Sequence, residues 1–483
     1  MVDVKDTQIT RTRFAPSPTG LLHVGAVRTA LFAWLLARQN NGVFVLRLED
    51  TDKKREVAGA DEHIMRTLRA VGLDYDEGPD IAGDYGPYRQ SQRLEIYKQW
   101  AQKLIDSGRA YADPYTTAEL QAFREQAQQQ KQPFLYRNHR PENPPAWDGS
   151  TPLRFKSDPK SYNWKDAVMG ELSTGPEVID DFILIKSDGY PTYNFAHIVD
   201  DYLMEVSQIV RGQEFIASVP NYMNLYDALN LQAPIMATLP PILGPDGKKK
   251  LSKRDGAQDV LDYLRQGFLP EALLSFIATL GWNDGTEQEL FSVDELVSKF
   301  SLDQVGRGGA VFDERRLHWV NGSFIRKMDL DTLYEQVQTF LPSEAQSFDD
   351  AYNKAVVGVL QERLKYFAEL PELTQFFYTD LSINPALISE HKKLKKYDQS
   401  DLMNLLQIAS DTLASTTFEV EALQNKLNQL LESTQEKPAV LFSLIRIAIT
   451  QTPASPGLAE TMAILGRERT LQRINNQINA LQA

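Results

Sequence analysis

Two short segments of this chain carry residue types suited to binding phosphate groups. The first runs from Arg13 to Ala26 and contains His23 and Gly25, just after a Pro/Gly-rich turn. A helix predicted to begin near Val24 would place free backbone N–H groups and the positive end of its dipole here. Gly25 lets a flat base or a phosphate approach the backbone, and His23 can donate to a phosphate oxygen. An isolated H-x-G sequence is more often an ordinary turn with a surface histidine.

The second segment lies far downstream, at Lys250–Arg254, in a charged stretch bounded by glycines. Its sequence, Lys-Leu-Ser-Lys-Arg, puts three cations on one loop. Such a loop suits a clamp on a triphosphate, where negative charge grows on the transferred group. A run of this composition, taken alone, is more often a solvated charged surface.

The elements that must position these segments read as a strand–helix–strand unit. The pattern predicts a strand over Ile9–Phe14, a helix over Val24–Gln39 and an apolar strand over Val43–Glu49. This arrangement is typical of an α/β fold with a doubly wound parallel sheet. Beyond about residue 260 the apolar spacing is helical, ending in a long stretch from Ala439 to Leu481.

Composition sets the broad class of protein. The 483 residues are 42% hydrophobic, which is typical of a globular protein with several domains. No apolar run is long enough to span a membrane, and the N-terminus lacks the apolar core of a secretory signal. We therefore expect a cytoplasmic protein with no membrane partner. The net charge of −14 still allows a local basic surface that binds nucleic acid.

Together, the two segments resemble the HIGH and KMSKS signatures of class I aminoacyl-tRNA synthetases, in the same order and on the same kinds of element. Further segments are similar to bacterial-type glutamyl-tRNA synthetases, and they cover nearly the whole chain. They are RFAPSPTGLLHVG from Arg13, LRLEDTD from Leu46, DEGPD from Asp76, YRQSQR from Tyr88, LRFK from Leu153, SDGYPTYN from Ser187, IVRGQE from Ile209, LSKRDG from Leu251, VFDERRLHWVNGSFIR from Val311 and SPGLAETMAILGRERTLQRI from Ser455.

The resemblance implies a reaction in which ATP, with Mg²⁺, converts glutamate to glutamyl-adenylate. The glutamyl group then passes to the 3′-terminal adenosine of tRNA(Glu), and AMP and pyrophosphate are released. The residues implied for catalysis are His23, Lys250, Ser252 and Lys253. Those implied for ATP binding are His23, Gly25, Glu214, Leu243, Lys250, Leu251, Ser252, Lys253 and Arg254.

A second implied set binds glutamate. Arg13, Tyr193 and Arg211 would hold its side-chain carboxylate, since the planar arginine fork pairs with a carboxylate through two hydrogen bonds. Glu49 would accept from the α-ammonium group, and Ser17 would fix the α-carboxylate end. The full implied set is Arg13, Ser17, Glu49, Tyr193, His197 and Arg211.

The resemblance also implies the domain order. A Rossmann-like catalytic domain would be split into residues 1–112 and 206–256, the second part carrying the LSKR loop. An α+β acceptor-binding insertion would occupy residues 113–205, and a connecting domain residues 257–330. An all-α anticodon-binding part would occupy residues 331–483. The expected partner is tRNA(Glu), with tRNA(Gln) as a further possibility, and the expected state is a monomer.

The chain departs from the family pattern at several positions. Ala26 ends the first signature where many relatives have a polar residue, and His197 and Phe215 replace residues expected in the substrate pocket. Some relatives bind zinc through a Cys-x-Cys sequence in the insertion. The corresponding stretch here, Tyr111–Tyr115, has no thiolate, and the chain has no cysteine at all. We therefore expect neither disulfides nor a zinc site of that type.

Four other functions fit part of the sequence. A glutaminyl-tRNA synthetase shares the front half, but its anticodon-binding part would be β-barrel in character. A shortened relative that glutamylates a modified tRNA base would lack the helical tail, and a nucleotidyltransferase acting on a small metabolite would not need it. A non-catalytic tRNA-binding protein on the same scaffold is disfavoured by the intact signature residues. In the tail, the basic run His391–Lys396 fits tRNA phosphates and a solvated helix face equally well.

Overall fold

The computed structural model describes residues 9–81, 83–252 and 258–482. Residue contacts divide the chain into two compact units, one of Met1–Arg265 and Pro270–Leu317 and the other of Gln266–Leu269 and His318–Ala483. The finer domain boundaries given above stay predictions.

The first unit mixes helices and strands. Its strands are β1 (Arg11–Phe14), β2 (Val43–Leu46), β3 (Ala110–Ala112), β4 (Leu153–Phe155), β5 (Tyr162–Asp166), β6 (Gly170–Thr174), β7 (Ile183–Ile185), β8 (Gln208–Gly212), β9 (Ile235–Leu239), β10 (Ile242–Leu243) and β11 (Ala310–Val311). Its helices are α1 (Val24–Gln39), α2 (Ala60–Ala70), α3 (Leu94–Asp106), α4 (Thr117–Gln129), α5 (Tyr193–Leu203), α6 (Val219–Ala228), α7 (Val260–Arg265), α8 (Pro270–Ala278) and α9 (Val293–Lys299).

A six-stranded sheet forms the centre of this unit, in the order β2-β1-β8-β9-β5-β6. The neighbours from β2 to β5 pair in parallel, and β6 is antiparallel to β5, so the predicted α/β sheet is confirmed as a mixed one. The chain goes from β1 to β2 through α1, while β8 lies on the other side of β1. The strand order therefore reverses between β1 and β8. Open sheets of this kind bind ligands beyond the carboxyl ends of the strands at that point.

Helix α1 has the bounds that the sequence predicted. Its apolar side chains are buried around most of its circumference, because strands of the sheet contact it on one side and α8 and α9 on another. The helix ends at Gln39 with Asn40 as its C-cap, and Asn41 follows with a φ of +48°, a left-handed conformation that asparagine tolerates. This packing fixes the N-terminus of α1 at the edge where the sheet order reverses.

A three-stranded antiparallel sheet has the order β3-β4-β7. Strands β4 and β7 lie within the stretch predicted as an insertion, and β3 comes directly before it. Buried carboxylates join its strands and loops. Asp113 accepts from Arg154 at 2.7 Å, and Asp181 accepts from Arg140 at 2.7 Å and from the Tyr111 hydroxyl at 2.8 Å. Within the described ranges, no group of three or more His, Asp or Glu side chains is arranged to hold a metal ion.

From Glu314 onward the described chain is helical, which confirms the predicted all-α C-terminal part. Leu, Ile, Val and Phe side chains from these helices form one buried cluster between Ile325 and Ile478. None of the described helices is long and apolar enough to cross a membrane. The helices are α10 (Glu314–Lys327), α11 (Leu330–Val337), α12 (Asp350–Leu360), α13 (Leu370–Tyr378), α14 (Ala386–Ser389), α15 (Gln399–Ala414), α16 (Val420–Thr434), α17 (Pro438–Thr450) and α18 (Leu458–Gln482).

Candidate active site

A cavity of about 560 Å³ lies at the carboxyl ends of β1, β8 and β9, where the strand order reverses. Its volume is in the range of small-molecule and cofactor sites. The structure brings many of the predicted substrate-binding residues together in its wall, although they come from distant parts of the sequence. They are Arg13, Ser17, His23, Gly25, Glu49, Tyr193, Arg211, Glu214, Lys250 and Leu251.

His23 caps the N-terminus of α1 at the cavity. Its Nδ1 atom accepts from the backbone N–H groups of Gly25 at 3.1 Å and Ala26 at 3.3 Å. A nitrogen that accepts carries no proton, so in the neutral ring the proton is on Nε2. The cap thus sets the orientation of the imidazole as well as the start of the helix. The positive end of the helix dipole also lies at this wall, and it favours an anionic ligand.

Lys250 reaches the cavity because a short hairpin anchors it. Leu243 of β10 forms an antiparallel bridge with Lys250, and the Leu251 N–H donates to the Ile242 carbonyl at 2.8 Å. The Lys250 Nζ atom lies 3.5 Å from Glu214 Oε1. Both side chains of this pair are more than half exposed, so solvent screens the pair and the lysine is available to a more highly charged partner.

The chain after the loop is also fixed beside the cavity. The Val260 N–H donates to the Leu22 carbonyl at 3.1 Å, and Asp259 forms a backbone bridge with His23. Residues 253–257 lie outside the described ranges, so the predictions for Lys253 and Arg254 fall on residues that the structure does not describe. The structure does show that Lys250 and Leu251 line the same cavity as the first signature, and that Asp259 and Val260 contact it directly.

Arg211, on β8, is a buried guanidinium facing the cavity. It is 4% exposed, and its Nη2 lies 3.1 Å from the Met236 sulfur. Its Nε and Nη1 atoms have no hydrogen-bond partner among the residues that the structure describes. A buried cation without an anion is costly, so this arrangement suits a site whose ligand brings the missing negative charge.

Arg13, unlike Arg211, is paired with a carboxylate. Its Nε lies 3.2 Å from Asp201 Oδ1, and its Nη1 donates to the Val210 carbonyl at 3.4 Å. Glu49 accepts from Arg47 Nη2 at 2.9 Å. Burial raises the pKa of the Glu49 carboxyl to about 7, although Arg47 and then Arg13 oppose the shift. The cavity wall therefore combines cations for an anionic group with the buried carboxyl of Glu49 for a cationic group.

Some predicted residues do not line the cavity. The structure places His197 behind Tyr193, with the two rings stacked 4.7 Å apart, and its Nδ1–H donates to the Tyr193 carbonyl at 2.7 Å. Burial lowers the pKa of His197 to about 3, so the ring is neutral. Leu243 lies in β10, where it forms the hairpin bridge with Lys250, and Ser252 follows the cavity residue Leu251.

Other cavity residues were not predicted from the sequence. Arg28 of α1 lines the wall, and burial lowers the pKa of its guanidinium to about 10. Arg55 also lines it. Phe215, which the resemblance did place in the substrate pocket, lines the cavity as well. An arginine on an otherwise apolar helix was the signal available for Arg28. For Arg55 the sequence offers none, since it sits in an ordinary charged run.

The comparisons agree with this geometry. Residues 9–319 match the family described as "tRNA synthetases class I (E and Q), catalytic domain", and residues 332–478 match an "Anticodon binding domain" family. A glutamate–tRNA ligase of Dehalococcoides mccartyi is 39% identical over 477 residues, which cover 97% of each chain. One of Clostridium botulinum is 40% identical over 487 residues, which cover 99% of each chain. The chain belongs to the glutamate–tRNA ligase family.

Solved structures support this family membership. A glutamate tRNA ligase from Elizabethkingia meningosepticum, crystallised in complex with its amino acid, has a TM-score of 0.87 at 31% identity. It covers 98% of this chain and 100% of its own. A glutamate-tRNA synthetase from Elizabethkingia anophelis has a TM-score of 0.86, also at 31% identity. The protein is thus a class I synthetase of the glutamate–tRNA ligase family, with a helical anticodon-binding part.

Proposed function

We propose that this protein joins glutamate to tRNA(Glu) in two steps at the cavity. The α-carboxylate of glutamate attacks the α-phosphorus of ATP, so glutamyl-adenylate forms and pyrophosphate leaves. A hydroxyl of the 3′-terminal adenosine of tRNA then attacks the glutamyl carbonyl carbon, and AMP leaves. No covalent enzyme intermediate is needed, so catalysis consists of positioning and charge stabilisation. Membership of the ligase family supports this reaction and its three partners: tRNA, glutamate and ATP.

The unpaired guanidinium of Arg211 carries the proposal for glutamate. Its Nε and Nη1 atoms are buried and unpartnered among the described residues, and the side chain lines the cavity. The side-chain carboxylate of glutamate would supply both the negative charge and the two acceptor oxygens. Glutamine would supply neither the charge nor a second acceptor, so it would leave the cation buried and unpaired.

The other proposed residues would each bind a different part of the glutamate molecule. Glu49 would accept from the α-ammonium group, with Arg13 and Tyr193 beside the side-chain carboxylate and Ser17 near the α-carboxylate. Burial raises the pKa of Tyr193 above its ordinary value, so its hydroxyl keeps the proton that it would donate. His197, placed behind Tyr193, would act by supporting that ring rather than by direct contact.

ATP would occupy the wall formed by the N-terminus of α1 and the hairpin of β10. His23 would donate from Nε2 to a phosphate oxygen, and Gly25 would admit the nucleotide close to the backbone. Lys250, Ser252 and Lys253 would stabilise the charge that develops as pyrophosphate leaves. Glu214, Leu243, Leu251 and Arg254 complete the proposed ATP set. ATP would enter with Mg²⁺, which binds largely through substrate phosphates.

We extend the proposal to the remaining properties of the protein. It would act as a cytoplasmic monomer that needs no zinc, since the insertion is held together by the Asp113 and Asp181 networks. Contacts to the tRNA, and not the amino-acid pocket, would decide whether the same site also charges tRNA(Gln).

Aminoacylation by the purified protein tests the proposal. Labelled glutamate or glutamine is offered with ATP, Mg²⁺ and either tRNA(Glu) or tRNA(Gln). We expect glutamate, and not glutamine, to be attached to tRNA(Glu). Glutamate on both tRNAs would extend the function to a relaxed enzyme, whereas glutamate on neither, from folded protein, would refute it.

A further inference from the structure

Glu49 is joined to a group of buried charges behind the cavity wall. Arg47 donates from Nη2 to Glu49 Oε1 at 2.9 Å and from Nη1 to Asp201 Oδ1 at 2.7 Å. Arg47 is 0% exposed and does not line the cavity. It can therefore affect the ligand only through the residues that it holds.

Asp201 in turn holds the second cavity residue. Its two carboxylate oxygens accept from Arg13 Nε at 3.2 Å and from Arg13 Nη2 at 3.5 Å. One edge of the Arg13 guanidinium is therefore fixed against Asp201. The contacts form a continuous chain, Glu49–Arg47–Asp201–Arg13, in which the two end residues line the cavity and the two middle residues do not.

We propose that Arg47 and Asp201 are positioning residues of the glutamate site. Arg47 holds Glu49 in place as a carboxylate that can accept from the substrate ammonium group. Asp201 orients the Arg13 guanidinium toward the substrate carboxylate. This inference rests on the proposed function, because it assigns the chain of contacts to the binding of an amino acid.

The charges of Arg47 and Asp201 shift the pKa of Glu49 in opposite directions. Burial raises the pKa of the Glu49 carboxyl to about 7, the Arg47 cation is the largest influence that lowers it, and the Asp201 anion raises it. Loss of the Arg47 charge therefore raises the pKa of Glu49, and loss of the Asp201 charge lowers it. A residue that served only to stabilise the fold would produce no such pair of opposite shifts.

The charged and titratable groups around Glu49 come from several elements. Arg13 belongs to β1, Arg47 follows β2, and Gln90 donates an amide hydrogen bond at 3.5 Å. Asp200 accepts from Arg93 at 2.7 Å and lies 3.7 Å from Arg47 Nε, so it shares the Arg47 cation. The other titratable or charged groups of this cluster are Tyr193, His197 and Asp201 of α5, Arg211 of β8 and Tyr222 of α6.

The experiment measures kcat/KM for glutamate against pH in aminoacylation by the full-length protein. This parameter reports the ionisation of the free enzyme. The acid limb is the part of the pH profile where kcat/KM falls as Glu49 is protonated. Arg47→Met should move this acid limb to higher pH by about one to three units, because Glu49 loses one close cation. With the wild-type Glu49 pKa at about 7, kcat/KM at pH 7 should fall at least about fivefold, and the loss should shrink as pH rises.

Asp201→Asn should move the acid limb in the opposite direction, toward lower pH. It should also raise KM for glutamate at every pH, because Arg13 loses its anionic anchor. KM for ATP should stay within about twofold of the wild-type value in both variants. Arg47→Lys keeps the cation, so its acid limb should stay close to that of the wild type even where Arg47→Met fails to fold.

Arg11→Met is the matched control. Arg11 is a buried arginine on β1, and it donates to both carboxylate oxygens of Glu77 at 3.0 and 2.9 Å. Its loss should lower thermal stability and leave the pH profile unchanged. Acid limbs that do not move, or that move together in Arg47→Met and Asp201→Asn, would overturn the inference. Absence of charging by wild-type protein would instead refute the proposed function.

Discussion

Substitution of Arg211 by methionine tests the unpaired cation most directly. Methionine keeps much of the length and the contact with Met236 but removes the charge. Two charge-assisted hydrogen bonds to the substrate carboxylate would be lost, each contributing about 1.5–3 kcal/mol. The sum, about 3–5 kcal/mol after partial compensation, corresponds to a loss in kcat/KM for glutamate of about a hundredfold to a few thousandfold. Selectivity against glutamine should fall with it.

The same substitution should not destabilise the ligand-free protein. Arg211 is buried without an anion among the described residues, so its removal relieves a cost rather than breaking a pair. The free energy of unfolding should stay the same or rise by up to about 2 kcal/mol. By contrast, Arg11→Met breaks a buried ion pair, so it should lower the free energy of unfolding by about 3 kcal/mol. The selectivity for glutamate over glutamine should not change in this variant.

The assay is steady-state aminoacylation with glutamate and glutamine in parallel, together with thermal unfolding of each variant. Wild-type protein should also gain thermal stability from saturating glutamate, and Arg211→Met should gain less. Unchanged selectivity in Arg211→Met would refute the role of this guanidinium in the pocket. A loss of stability as large as that of Arg11→Met would show that Arg211 is paired in the free protein.

The other predictions concern the ammonium site, the loop, the strand pair and the basic run. Glu49→Gln should abolish the acid limb of kcat/KM for glutamate near pH 7, since the group that titrates at about 7 is gone; an unchanged limb would assign it to another group. Lys253→Ala should slow single-turnover activation strongly while the circular dichroism spectrum stays native, and near-normal activation would contradict its role. Gly42→Ala should lower the free energy of unfolding by about 1–3 kcal/mol, because a Cβ there meets a backbone carbonyl at the start of β1. Gly308 has open space around it, so Gly308→Ala should change the free energy of unfolding by no more than about 0.5 kcal/mol. Reversal of the exposed lysine charges in His391–Lys396 should weaken tRNA binding and flatten its salt dependence. An unaltered salt slope would make the run an ordinary solvated surface.

Local patterns predicted the elements around the first signature well. The helix Val24–Gln39 has its predicted bounds because its apolar spacing and the Asn41-Gly42 stop signal are both local. The long helical stretch predicted from Ala439 to Leu481 forms α17 and α18, and α18 is itself kinked at Gly466, whose φ is +78°. Helix α17 ends in a left-handed Gln451, and a Ser-Pro-Gly turn precedes α18. Apolar spacing alone does not reveal such a break.

Strands β5, β6 and β9 were not predicted from the sequence. The hairpin strands Tyr162–Asp166 and Gly170–Thr174 are short and mostly polar, so neither carries an apolar run. Their pairing to each other and the bridge from Asp166 to Met236 make them part of the central sheet. The sequence pattern over Val178–Lys186 also predicts a strand, but the structure forms one only over Ile183–Ile185, and a 3-10 turn occupies Pro176–Val178.

The sequence by itself determined the two signatures, the family and the residue types of the site, since these depend on order and spacing along the chain. It did not determine which charges are paired. Arg13 and Arg211 were assigned the same role, but Arg13 is held by Asp201, which lies 188 residues away, and Arg211 has no anion among the described residues. Only the tertiary structure decides this, because the net charge of a buried site depends on side chains that distant segments bring within a few ångströms.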